Sequence, residues 1–203
     1  MGLLSEGGVH SHSSHLYSIL DFLKCQNLDK ISLHLFTDGR DSNPNDGVVE
    51  ISKLLNYIDD SNINLASICG RYYPMDRDSR WERIKLAYDA IVNGIGEESF
   101  DIIKSVKDSY ANGVTDEFIK PIVCMKSDGN PVSLIEDGDV LFSFNYRSDR
   151  MRQLSRVLTQ ENNLKINIKK KDLHFITMTN YDESFVGINI LYDKECYLNF
   201  LYH

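Results

Sequence analysis

The stretch Ile31-Ser32-Leu33-His34-Leu35-Phe36-Thr37-Asp38-Gly39-Arg40-Asp41 decides how the rest of the chain is understood. Ile31 to Phe36 is a mostly apolar run of strand length, cut off by the turn-forming residues Thr37 to Asp41. Gly47 to Ile58 follows, with Val48, Ile51, Leu54, Leu55 and Ile58 on one helical face, and Leu65 to Cys69 is a second strand ending at Gly70. A strand, a polar loop, an amphipathic helix and another strand, in that order, predict parallel pairing with helices packed on the sheet.

Outward from this unit the alternation continues. Upstream, the apolar stub Met1 to Leu4 runs into the turn Ser5-Glu6-Gly7-Gly8, and a helix over Ser14 to Leu28 turns Leu16, Ile19, Leu20 and Leu23 inward. Downstream, helices are expected from about Ser79 to Asn93 and Ser99 to Ala111, a strand over Val140 to Phe144, a helix around Arg150 to Leu158, and a strand over Leu173 to Met178. Asp78 or Ser79 is the expected N-cap of the first of these helices, with Glu82 completing a capping box, and Arg80 and Arg83 inside it. The expected fold class is α/β: a mostly parallel sheet flanked by helices on both faces, in a single domain.

Composition fits that expectation. The 203 residues are 42% hydrophobic and 26% charged, enough to bury one core. A net charge of −8 argues against nucleic acid as a partner. Cys25, Cys69, Cys124 and Cys196 form no C-x-x-C pair, so reduced thiols in a cytoplasmic protein are expected. No apolar run reaches bilayer length, and no membrane partner is expected.

The functional signal lies in the loops that follow strands. In an open α/β sheet those loops share one edge, where ligands bind. Here they carry His10, Arg40, Asp41, Arg71, Arg77, Arg147 and Arg150. Each alone is ordinary. Together, five arginines after strands, with no matching density of carboxylates expected around them, predict a pocket for a small, multiply charged anion, because guanidinium forks match carboxylate and phosphate in a bidentate way. Asp41 fits either a proton acceptor beside a ligand hydroxyl or a strut for Arg40 or Arg71. His10-Ser11-His12, with His15 nearby, invites a metal hydrolase reading, but His34 and His174 fall inside predicted strands, leaving only His203. No metal ligand is expected.

The strings Gly2-Leu3-Leu4-Ser5-Glu6-Gly7-Gly8-Val9-His10-Ser11-His12, Asp38-Gly39-Arg40-Asp41, Gly70-Arg71-Tyr72-Tyr73-Pro74-Met75-Asp76-Arg77-Asp78, Arg80-Trp81-Glu82-Arg83, Gly113-Val114-Thr115-Asp116-Glu117-Phe118 and Phe144-Asn145-Tyr146-Arg147-Ser148-Asp149-Arg150 resemble cofactor-independent phosphoglycerate mutase. Glu6 and Ser148 depart from the usual Asp and Ala. The resemblance implies interconversion of 3-phosphoglycerate and 2-phosphoglycerate in glycolysis and gluconeogenesis, and makes this chain the substrate-binding lid. It implies substrate-binding roles for His10, Arg40, Asp41, Arg71, Arg77, Arg147 and Arg150, with Asp41 as the catalytic base. A serine nucleophile and two manganese ions are implied in a phosphatase-like domain absent from this sequence. This chain itself is then expected to hold no cofactor, to be inactive alone and to be a monomer. Residues 1–180 form the expected lid domain and 181–203 a divergent or poorly ordered tail; Met1-Gly2 resembles a strand interior, as though the start were a cut. The alternative is a stand-alone module that binds a phosphorylated metabolite without catalysis.

Overall fold

The computed structural model describes residues 1–26, 28–59 and 61–193. Strand β1 (Gly2–Leu4) leads to helix α1 (Ser13–Lys24), β2 (Ile31–Thr37), α2 (Gly47–Ile58) and β3 (Ile63–Gly70). Helix α3 (Trp81–Tyr88) widens into a π-helical turn at Asp89–Asn93, and β4 (Glu97–Ser99), α4 (Ile102–Ala111) and β5 (Ile122–Cys124) follow. The chain ends in β6 (Val140–Ser143), α5 (Arg152–Ser155) with a second wide turn at Arg156–Gln160, β7 (His174–Thr179) and β8 (Ile188–Tyr192).

One sheet runs β1-β2-β3-β5-β4 and another β6-β7-β8. All neighbours are parallel except β3 and β5. The two sheets meet edge to edge. Met1 donates its amino hydrogen to Phe142 O at 2.6 Å, and Phe144 N donates to Met1 O at 3.1 Å, which is the bond pattern of a parallel pair. Leu3 N donates to Asn145 Oδ1 at 2.9 Å just beyond. The start of β1 therefore sits between β2 and β6.

The expected α/β architecture, helices on both faces of a mostly parallel sheet, is the one observed. Alternate residues of the same strands serve different cores: Leu4, Leu33 and Leu35 pack with Leu16, Leu20, Ile51, Leu54 and Val106 of α1, α2 and α4. Leu3, Phe36 and Cys69 pack with Ile84, Ala87, Leu154 and Val157 beside α3 and α5. Period-two side chains on each strand cause this division. Ile19, Leu23, Val48 and Leu55, expected inward, are partly buried at the margin of the first core.

Several local expectations change. Ser79 takes a left-handed φ of 59°, so α3 starts at Trp81, and neither Asp78 nor Ser79 caps it. Instead the buried Asp76 carboxylate accepts from Asp78 N at 3.0 Å and Arg80 N at 2.9 Å. Arg80 therefore flanks the helix, while Arg83 stacks over Tyr72 at 3.7 Å from the ring centre. The helix expected from Ser99 begins at Ile102, because Glu97 to Ser99 are drawn into pairing with β5. Strand β8 lies within the stretch expected as a tail and extends the second sheet. The remainder of that stretch, 194–203, including Cys196 and His203, lies outside the described residues.

Two glycines matter for how the strand ends approach one another. Gly39 adopts φ 68°, and a Cβ on Gly70 would lie 2.3 Å from Glu117 O. The Asp116–Phe118 turn is thus pressed against the loop ends of β2 and β3, where Gly70 N donates to Ile119 O at 2.7 Å. Gly70→Ala is expected to lower stability by about 1–3 kcal/mol through overpacking. A urea midpoint equal to wild type would show that the backbone yields there.

Candidate functional site

The loops after β1, β2, β3 and β6 converge, and one buried carboxylate organises them. Asp38, 3% exposed, accepts from Ser5 Oγ at 2.5 Å, Arg40 N at 3.2 Å, Asp41 N at 3.0 Å and Arg71 Nη1 at 2.7 Å. Burial pushes its carboxyl up, but the Asp41 amide, the Ser5 hydroxyl and the Arg71 guanidinium outweigh that and hold it below the ordinary range. Arg71, equally buried, also donates to Asp41 Oδ2 at 2.5 Å. Burial works against its charge, and Asp41 and Asp38 more than compensate, raising its pKa. The strut role considered for Asp41 is therefore realised.

His10, 3% exposed, stands beside this pair, with Nε2 3.9 Å from Asp41 Oδ2 and Nδ1 3.8 Å from Asp149 Oδ1. Both distances are too long for hydrogen bonds. Burial, then Arg71 and Arg147, pull its pKa down to about 4, against the opposing pull of Asp149 and Asp41. Its carbonyl accepts from Tyr146 N at 2.9 Å and Arg147 N at 3.2 Å, which ties the β6 loop to the β1 loop. Tyr146 OH closes the same junction by donating to Gly8 O. Thr179 Oγ1, at the end of β7, and Tyr181 OH, just after it, donate to Tyr146 O at 2.7 Å and Asn145 O at 2.6 Å from the other side.

The remaining arginines rim this centre. Arg147 grips Asp149 in a bidentate fashion, Nε to Oδ1 at 2.9 Å and Nη2 to Oδ2 at 3.2 Å. Arg77 reaches the same carboxylate at 3.0 Å. Arg40, further out, pairs with Glu117 at 3.3 Å. Arg150 differs: its hydrogen bond among the described residues goes to Met75 O at 3.1 Å. Burial and the nearby charges of Arg71, Arg77 and Arg40 lower its pKa.

All seven residues singled out from the sequence thus lie at one edge of the sheet. His10, Asp41, Arg71, Arg77 and Arg147 form a linked network; Arg150 joins them by proximity, and Arg40 stands at the rim. The expectation that the arginines lack matching carboxylates is overturned. Asp38, Asp41, Asp149 and Glu117 answer four of the five, because guanidinium groups packed this closely repel one another unless carboxylates lie between them. Asp38 and Asp149 are the residues that sequence reasoning passed over. Their signal was the Asp placed two residues from an Arg in both Asp38-Gly39-Arg40-Asp41 and Arg147-Ser148-Asp149-Arg150.

His12 does not join the centre. Its ring caps α1, accepting from Ser14 N at 3.2 Å, and His15 packs edge-on against Tyr146. His34 lies buried in β2 with Ser67 Oγ 2.8 Å from its Nδ1. Among the described residues, no group of three or more His, Cys, Asp or Glu side chains is arranged to hold a metal ion. No helix among them is long and apolar enough to cross a membrane.

Comparison with known proteins accords with this geometry. The family described as BPG-independent PGAM N-terminus matches residues 1–183. The 2,3-bisphosphoglycerate-independent phosphoglycerate mutase of Flavobacterium psychrophilum is 47% identical over 195 residues, covering 96% of this chain and 39% of its own length. That of Parabacteroides distasonis is 48% identical over 196 residues, covering 96% and 38%. Among solved structures, Leishmania mexicana phosphoglycerate mutase, crystallised at low cobalt concentration, superposes with a TM-score of 0.86 at 25% identity, covering 95% of this chain and 37% of that one. The chain thus spans about two fifths of the length of the relatives it matches. With strand order, loop convergence and the match over residues 1–183 in agreement, this chain belongs to the family of BPG-independent phosphoglycerate mutase N-terminal domains.

Proposed function

We propose that this chain is the substrate-binding lid of a mutase that interconverts 3-phosphoglycerate and 2-phosphoglycerate; its relatives are named 2,3-bisphosphoglycerate-independent phosphoglycerate mutases. The observation that carries the proposal is the gathering of Arg71, Arg77 and Arg147 on Asp41, Asp149 and His10 at one edge, with Arg150 bonded to Met75 O and short of a carboxylate of its own among the described residues. A compact anion bearing carboxylate and phosphate is the ligand that such forks complement.

In this reading Arg77, Arg147 and Arg150 neutralise the ligand's charges, Arg40 closes the rim, and Asp41, held by Arg71, accepts a proton from the glycerate hydroxyl. His10 meets the ligand as an uncharged ring. A serine nucleophile and two manganese ions would belong to a phosphatase-like partner domain and would supply the phosphoryl-transfer chemistry. The lid excludes water while the phosphoryl group is transferred. The domain is taken to occupy residues 1–180, to be monomeric and cytoplasmic, and to serve glycolysis and gluconeogenesis.

Titration calorimetry tests this directly. The wild-type chain is expected to bind 3-phosphoglycerate, and Arg147→Ala combined with Arg150→Ala to weaken binding by about 100-fold or more, since each charge-assisted bond is worth about 1.5–3 kcal/mol. Equal binding by both proteins would remove the cleft from consideration. In an enolase-coupled assay the chain alone is expected to show no turnover; sustained activity would contradict the lid role.

His10 supplies a pH prediction. Its folded-state pKa of about 4 lies below the ordinary 6.5, so the unfolded chain takes up the proton first. The stability it contributes is complete above about pH 6.5 and is lost as pH falls through about 4. Histidine ring NMR is expected to show a His10 midpoint near 4; a midpoint above 6 would mean that the ring is not sealed as described.

A further inference from the structure

Asp149 is the carboxylate on which three loops meet. Arg147 from the β6 loop grips it with two nitrogens at 2.9 and 3.2 Å, Arg77 from the β3 loop donates at 3.0 Å, and His10 Nδ1 from the β1 loop lies 3.8 Å away. That Nδ1 is buried and has no hydrogen-bond partner. A neutral imidazole has one N–H and one lone pair, and the surroundings decide which nitrogen holds which.

At Nδ1 water has no access and the facing atom is an acceptor oxygen. A lone pair there would face a negative oxygen with no donor to satisfy it. An N–H there needs an approach of only about 1 Å to become a hydrogen bond. At Nε2 the facing atom is Asp41 Oδ2, engaged by Arg71 at 2.5 Å much as Asp149 Oδ1 is by Arg147 at 2.9 Å, so the nitrogens differ in that only Nδ1 is both buried and without a partner.

We propose that Asp149 is a positioning residue, which holds the forks of Arg77 and Arg147 and keeps His10 in the Nδ1–H tautomer, so that Nε2 presents a lone pair to the site. Only the identity of the ligand rests on the function proposed above; the tautomer does not. Arginines donate and never accept. An accepting Nε2 therefore gives the site a second place, beside Asp41, to receive a hydroxyl hydrogen. It also gives Asp41 a hydrogen-bond acceptor once that carboxyl has taken a proton. The site then favours a hydroxyl-bearing acid over bare phosphate.

The test uses ¹⁵N-histidine long-range correlation spectra of the 203-residue chain at pH 7. In wild type, His10 is expected to carry its proton on Nδ1. In Asp149→Ala the population is expected to move toward Nε2–H, and 3-phosphoglycerate affinity to fall about tenfold, as one charge-assisted bond predicts. A wild-type majority of Nε2–H, or an unchanged His10 spectrum in the variant, overturns the proposal. If the variant fails to fold, the wild-type spectrum alone decides. If wild type binds no 3-phosphoglycerate, the functional reading falls, and the spectra still decide the role of Asp149.

Discussion

The buried pair of Asp38 and Arg71 is the constraint on which the site depends. Two charges taken out of water at 3% exposure each are costly unless every lone pair and proton is answered. Asp38 meets that demand with donors from Ser5, Arg40, Asp41 and Arg71, and those donors lie in the loops after β1, β2 and β3. Satisfying one carboxylate thus sets the relative positions of three loops. Arg71 spends one nitrogen on both Asp38 and Asp41, so that donor is already taken up within the domain.

The outer ring follows a different logic. Arg40, Arg77 and Arg147 are paired with Glu117 and Asp149 in positions that water reaches, where an ion pair is worth little. Such pairs keep like charges apart at small cost, so the shape of the domain rests on the buried inner pair rather than on the outer set.

Much of this was legible in the chain. The run from Ile31 to Asp41 correctly implied a strand feeding a polar loop, because a buried parallel strand must be apolar and must stop where polar residues begin. The arginine loops were located for the same reason. What escaped reading had no local period. Glu97 to Ser99 and Ile122 to Cys124 are three-residue strands, too short to show alternation, and the antiparallel turn of β5 against β3 depends on contacts distant in sequence. Asp38 and Asp149 looked like turn residues, since nothing local reveals that a turn will be buried beside guanidinium groups. The Ser79 backbone reversal, which moved the start of α3, is set by the Asp76 carboxylate rather than by Ser79 itself.

The seam between β1 and β6 has a bearing on biosynthesis. The bond from Met1 to Phe142 spans 141 positions, so a ribosome adding about 5–20 residues per second exposes the first strand on the order of ten seconds before its second neighbour exists. During that interval Leu3, Phe36 and Cys69 can meet Ile84 and Ala87 of α3 but not Leu154, Val157 or Phe175, so part of that core stays in contact with water. Residues at the seam are therefore obliged to wait, half assembled, for those that follow to seal them.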